Sequence, residues 1–173
     1  MTTMTDLMAP TPGRPWLRGA LAVVAALELL EALSGAPNIF VDYHHDTALL
    51  KFAQGVTSVQ LALAPFVAGA ALVLAAGGRL RAAILALAAL TLMVWVLDDL
   101  PSIPIHGFEF SADYGGVTVL IHRVVNPAAA VAGAALAWKD RRLPLAGLLV
   151  SVPTIVRWLG VLAFAVGVML YGF

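Results

Sequence analysis

The stretch RAAILALAALTLMVWVLDDL, residues 81–100, decides how this chain is read. Between Arg81 and Asp98 it carries no charged side chain, and a helix needs about 20 mainly apolar residues to cross a bilayer. Four more runs of this kind lie near 16–34, 55–76, 118–138 and 143–171, beside 82–100. With 61% hydrophobic and 12% charged residues in 173, the chain holds more apolar side chain than one soluble core of that size can bury. The expected fold is all-α: a polytopic integral membrane bundle of five transmembrane helices, one membrane domain over 1–173, with outer loops at 35–54 and 101–117.

The first run could be taken for a cleaved leader, because Arg14 and Arg18 precede it and Ala32-Leu33-Ser34 follows. Glu28 and Glu31 inside the apolar region argue instead for a retained membrane helix. There is no cysteine, which excludes disulfides, thiolate metal sites and cysteine nucleophiles.

Seven of the ten basic residues gather at one set of helix ends. They are Arg14 and Arg18, then Arg79 and Arg81, then Lys139, Arg141 and Arg142. By the positive-inside rule those ends are cytoplasmic, so the N-terminus is expected inside and the C-terminus outside, in a cell inner or plasma membrane. The inner connections GGRLR and WKDRRLP are short enough to force antiparallel neighbours. In the second outer loop, Pro101, Pro104, Gly107, Gly115 and Gly116 predict turns and no helix. Asp46 is the expected N-cap of the segment leading into the second helix.

A weak internal repeat runs through the chain. Pro65 and Val67-Ala68-Gly69-Ala70-Ala71-Leu72 are matched by Pro127 and Val131-Ala132-Gly133-Ala134-Ala135-Leu136, and Trp95 by Trp158, at offsets of 62 to 64 residues. This suggests a leading helix followed by two similar hairpins. The shared small residues suit close helix approach. Pro65, Pro127 and Pro153 should each remove a backbone hydrogen bond, with Ser151 or Thr154 re-satisfying a freed carbonyl.

Counting about 1.5 Å per residue from each inner end places Glu28 roughly 18 Å up and Glu31 and Arg157 about 22 Å up. The same count puts His122, Arg123 and Asn126 at roughly 18 to 24 Å, with Asp98, Asp99 and Gln60 near 24 Å. Every helix thus gives a polar group to one layer in the outer half of the bilayer. A charge facing lipid costs a few kcal/mol or more, so these groups should face inward and pair. The expected pairs are Arg157 with Glu28 or Glu31, and Arg123 with Asp98 or Asp99. Four carboxylates then meet two arginines and one histidine, His122, that is neutral or charged. Either some carboxylates carry protons, or a cation, ligand or water supplies the balance.

A metal ion is a lesser possibility. In extended chain Asp42, His44 and Asp46 share a side, and with His45, His106 or His122 nearby they have the donor types for a hard or borderline cation. Haem b between helices needs two opposed histidines, and only His122 lies convincingly within a helix. Solvated histidines titrating near neutrality are the blander reading.

The sequence therefore points to an outward-facing polar cavity that binds or moves a small polar or cationic species. Its surroundings are the lipid bilayer, with a membrane-protein partner or homo-oligomer as a further possibility and no nucleic acid. The alternative is a non-catalytic accessory subunit packed within a larger membrane complex. A third reading is a metal- or haem-dependent membrane redox protein. An enzyme is the less expected class, because the chain shows no obvious nucleophile and no recognisable metal signature.

Overall fold

In the computed structural model, residues 8, 9, 11, 14–41, 47–106 and 114–172 are described. They form α1 (Pro15–Gly35), α2 (Ala48–Ala76), α3 (Leu80–Val94), α4 (Leu100–His106), α5 (Tyr114–Leu120), α6 (Asn126–Trp138) and α7 (Leu143–Tyr171). A 3-10 turn, Ala36–Phe40, follows α1. A π-helical turn, Trp95–Asp99, joins α3 to α4, and another, Ile121–Val125, joins α5 to α6. With those turns counted in, five helices among the described residues are long and apolar enough to cross a membrane: Pro15–Phe40, Ala48–Ala76, Leu80–Pro104, Gly116–Trp138 and Leu143–Tyr171. The described residues are all-helical, with no strand.

The bundle is tightest at the end that carries the basic turns. There Leu17 and Leu21 of α1, Ala71 and Ala75 of α2, Leu80, Ile84 and Leu87 of α3, and Leu143, Ala146 and Val150 of α7 form one buried cluster. Consecutive helices pack as neighbours, α3 also meets α6 and α7, and α1 also touches α7. Small residues set the spacing at two places. A Cβ on Gly133 would stand 2.7 Å from Val150 Cγ1 and 3.0 Å from the Ala146 carbonyl oxygen, and one on Gly147 would stand 3.0 Å from Leu17 Cδ1. Gly69, the repeat partner of Gly133, has open space around it. The two glycines of the repeat therefore do different jobs, because α6 presses on α7 whereas α2 has no helix against that face.

The repeat is clearer in the two basic turns. Arg79 N–H bonds the Leu74 carbonyl and Arg141 N–H bonds the Leu136 carbonyl, each at 2.9 Å, closing two helix C-termini in the same way. Gly78 takes the left-handed conformation in the first turn (φ +73) and Asp140 in the second (φ +53). All three correspondences lie at the offset of 62. Asp140 is one of the few residue types besides glycine that visits this conformation readily. Its carboxylate reaches Arg81 Nε at 2.9 Å, tying the two turns together.

The opposite end departs from the expected loops. Of the prolines and glycines in the 101–117 segment, Gly107 lies outside the described residues and the others do not exclude helix. Pro101 and Pro104 lie within the third apolar helix, and Gly115 and Gly116 within the first turn of α5. In the first π turn Leu100 N–H bonds the Trp95 carbonyl five residues back, so Pro101 follows a ladder that is already out of step. The first-turn N–H groups of α5 have no intrahelical partner in any case. The 35–54 loop is likewise shorter than expected, since α2 begins at Ala48. Its cap is Thr47 and not Asp46: Thr47 is extended (φ −110, ψ 146) and its hydroxyl accepts from Leu50 N–H at 3.3 Å. Asp46 lies outside the described residues.

Gly133→Ala is expected to lower stability by about 1–3 kcal/mol, as overpacking does. Gly69→Ala should be neutral or stabilising by up to about 1 kcal/mol, because it relieves only the helix cost of glycine. Thermal unfolding of the two variants in detergent measures the contrast, and equal midpoints would refute the packing role of Gly133.

Candidate functional site

At the loosely packed end the helices enclose a cavity of about 510 Å³ to which all five apolar helices contribute. Glu28 and Glu31 line it from α1, and Gln60, Leu61 and Ala64 from α2. The third helix gives Leu90, Val94, Trp95, Asp98 and Asp99. His122 and Asn126 enter from the fourth helix, Pro153 and Arg157 from the fifth. Eight of the nine residues of the polar layer thus surround one space, and Arg123 lies outside that lining.

Arg157 stands in the middle of α7 and holds both glutamates of α1. Its Nη2 is 3.0 Å from Glu28 Oε1 and its Nη1 meets Glu31 Oε1. Glu28 and Glu31 are three residues apart and so share one helix face, which lets one planar guanidinium serve both. Glu28 Oε1 also accepts the Thr154 hydroxyl at 2.5 Å. Thr154 is one of the two residues, with Ser151, expected to re-satisfy a carbonyl freed by proline. It turns instead to the carboxylate, being three residues before Arg157 on the same face, while the Ser151 hydroxyl donates to the Gly147 carbonyl at 2.7 Å.

On the other wall the expected pairing of Arg123 with Asp98 or Asp99 takes a different form. Arg123 Nη2 reaches Ser102 Oγ at 3.1 Å, and that hydroxyl donates to the Asp99 backbone carbonyl at 2.6 Å. Asp98 Oδ1 accepts the Thr57 hydroxyl at 3.0 Å. Arg123 lies within the second π turn, and through Ser102 it ties that turn to the third helix.

Thr57 and Ser102 carry sequence signals that bear on these contacts, lying three residues from Gln60 and from Asp99 on the same helix faces. Trp95 has a subtler one. Pro127 has no N–H, so it leaves the Arg123 carbonyl four residues back without its helical donor. The Trp95 indole N–H fills that place, 3.0 Å from the Arg123 oxygen. The two π turns are thereby bound to each other, and the indole ring is fixed in the cavity wall.

Of the residues considered for a metal, His122 lines the cavity and His106 belongs to α4, while Asp42, His44, His45 and Asp46 lie outside the described residues. Among the described residues, no three histidine or carboxylate side chains converge as a metal site. Comparison of the chain with protein-family models, with curated proteins and with solved structures finds no match.

Arg157→Leu should cost about 3 kcal/mol, the low end for breaking a buried pair, because Glu28 is only 11% exposed whereas Arg157 and Glu31 keep about a third of their surface. Arg157→Lys keeps the charge but not the fork, and should fall between. Unfolding midpoints in detergent test the order; a leucine variant as stable as the parent would remove the ion pair from any structural role.

Proposed function

We propose that this chain is a five-span membrane protein that holds, or passes, a small cationic or polar solute in a cavity facing the non-cytoplasmic side. One observation carries the reading: four carboxylates, Glu28, Glu31, Asp98 and Asp99, line the cavity, and Arg157 is the guanidinium in that lining. Arg157 serves the two glutamates. The aspartate wall, with His122 beside it in the lining, is where this reading places a positive guest. A volume of about 510 Å³ exceeds a bare ion many times over and falls within the roughly 300–1,000 Å³ common for small-molecule sites.

The orientation follows from the basic turns. Arg79, Arg81, Arg141 and Arg142 stand at the end opposite the cavity, and positive turns favour the cytoplasm. A cavity at the other end then opens outward. Because the chain has no cysteine, single cysteines report this directly. In intact cells, Lys51→Cys should react with a membrane-impermeant maleimide and Arg141→Cys should react only after lysis. The reverse pattern would invert the proposal.

A second reading, an accessory subunit within a larger membrane complex, is favoured by α7. From Ile155 to Gly172 none of its residues is buried. The cation test separates the readings. Purified protein should bind a small organic ammonium, and the double substitution Asp98→Asn with Asp99→Asn should weaken binding tenfold or more while the fold survives. If no cation binds the parent protein, the cavity reading falls and the subunit reading stands.

A further inference from the structure

Histidine is the side chain whose ordinary change of charge falls between about pH 5 and 8, and His122 lines the cavity from the second π turn. It is only partly buried there, so water and a guest can both reach it.

The two π turns bring His122 to the aspartates. Asp98 and Asp99 belong to the first turn and His122 to the second. The bond from the Trp95 indole to the Arg123 carbonyl holds the turns together at the residue next to His122. Of the charged side chains that act on Asp99, a protonated His122 acts most strongly, ahead of Asp98 and Arg123.

The other charges around His122 are already engaged or lie elsewhere. Gly116 to Leu120 of α5 contribute no titratable side chain, and α6 has none over its whole length. Arg123, on the same turn, lies outside the lining and bonds Ser102. Glu28 and Glu31 face the cavity from α1, and Arg157 of α7 holds both. From α2 comes Gln60, which is neutral. A proton on His122 and a positive guest therefore compete for the same two aspartates, in a space walled by apolar helices where like charges repel more strongly than in water.

Resting on the cavity reading above, we propose that the site exchanges its guest for a proton: the cation is held against Asp98 and Asp99 while His122 is neutral, and protonation of His122 releases it. Entry of the cation drives the proton from the imidazole into the outer water. Affinity for the cation then rises with pH and is lost as pH falls through the histidine range. By linkage, the cation weakens proton binding by the same factor as the proton weakens cation binding.

Tetramethylammonium is a suitable probe, because its charge does not change with pH and a quaternary ammonium suits the face of Trp95 in the same lining. Calorimetric titration of the full chain in lipid nanodiscs, with empty nanodiscs as the blank, measures its binding at about pH 5.5 and about pH 8. The parent protein should bind about tenfold or more tightly at the higher pH. Near pH 6, titrations in buffers of different ionisation enthalpy should show protons leaving as the cation enters. His122→Gln keeps a hydrogen-bonding side chain that cannot take the charge, and should bring the two affinities to within about twofold of each other with no proton released. His122→Asn should do the same if the glutamine variant misfolds, and proton release by the parent protein needs no variant at all. Equal affinity at the two pH values, or binding without proton release, overturns the exchange and leaves the cavity reading intact. A pH dependence that survives in His122→Gln moves the titration to the carboxylates and overturns the role of His122. If the cation does not bind above the blank at either pH, the cavity reading and this inference fall together.

Discussion

An arginine in the middle of a 29-residue apolar helix must be met by an acid, and much of the cavity end follows from that requirement. Arg157 is met by two glutamates from α1, whose spacing of three puts both carboxylates before one guanidinium. That fork draws α1 to α7 at the polar level, while Leu17 against Gly147 holds the same helices near the basic turns. With two points fixed along their length, the two helices cannot rotate independently. The remaining polar groups are then left to face the space between α1, α3 and α6.

The irregular backbone around that space has a common cause. Each π turn is followed by one residue and then a proline, Leu100-Pro101 in the third helix and Asn126-Pro127 in the fourth. Widening the helix by one residue and removing the next donor concentrates the missing hydrogen bonds at one level. Trp95 repairs one of them across the gap. A side chain otherwise suited to a membrane interface thus becomes the bolt between two weakened helices, and the cavity wall is stiff where its backbone pairing is least regular.

The helix ends at the basic turns were legible from the sequence: 76, 138 and 143 stand where the apolar runs and Gly/Arg turns put them. The ends beside the cavity were not. Prolines and glycines read as breakers there, yet Pro101 sits behind a π turn that had already displaced the ladder, and no residue pattern announces a π turn. The polar layer could be read because depth along a helix is a matter of counting. Which side chain meets which could be read only where spacing fixes azimuth, as for Glu28, Glu31 and Arg157. Arg123 lies in a π turn, and its contact with Ser102 is one that depth alone does not announce.

The fork between α1 and α7 also bears on how the chain is made. Its partners are 126 and 129 residues apart, and a ribosome adds about 5–20 residues per second. On the proposed membrane reading, α1 therefore carries two carboxylates without their arginine for roughly ten seconds. During that interval its outer half carries two unmatched acids, and something other than Arg157 must keep it in place: water at the headgroups, protons on the acids, or the insertion machinery itself. The arrival of α7 ends that interval, so the last contact formed is also the one that commits the first helix to its final depth.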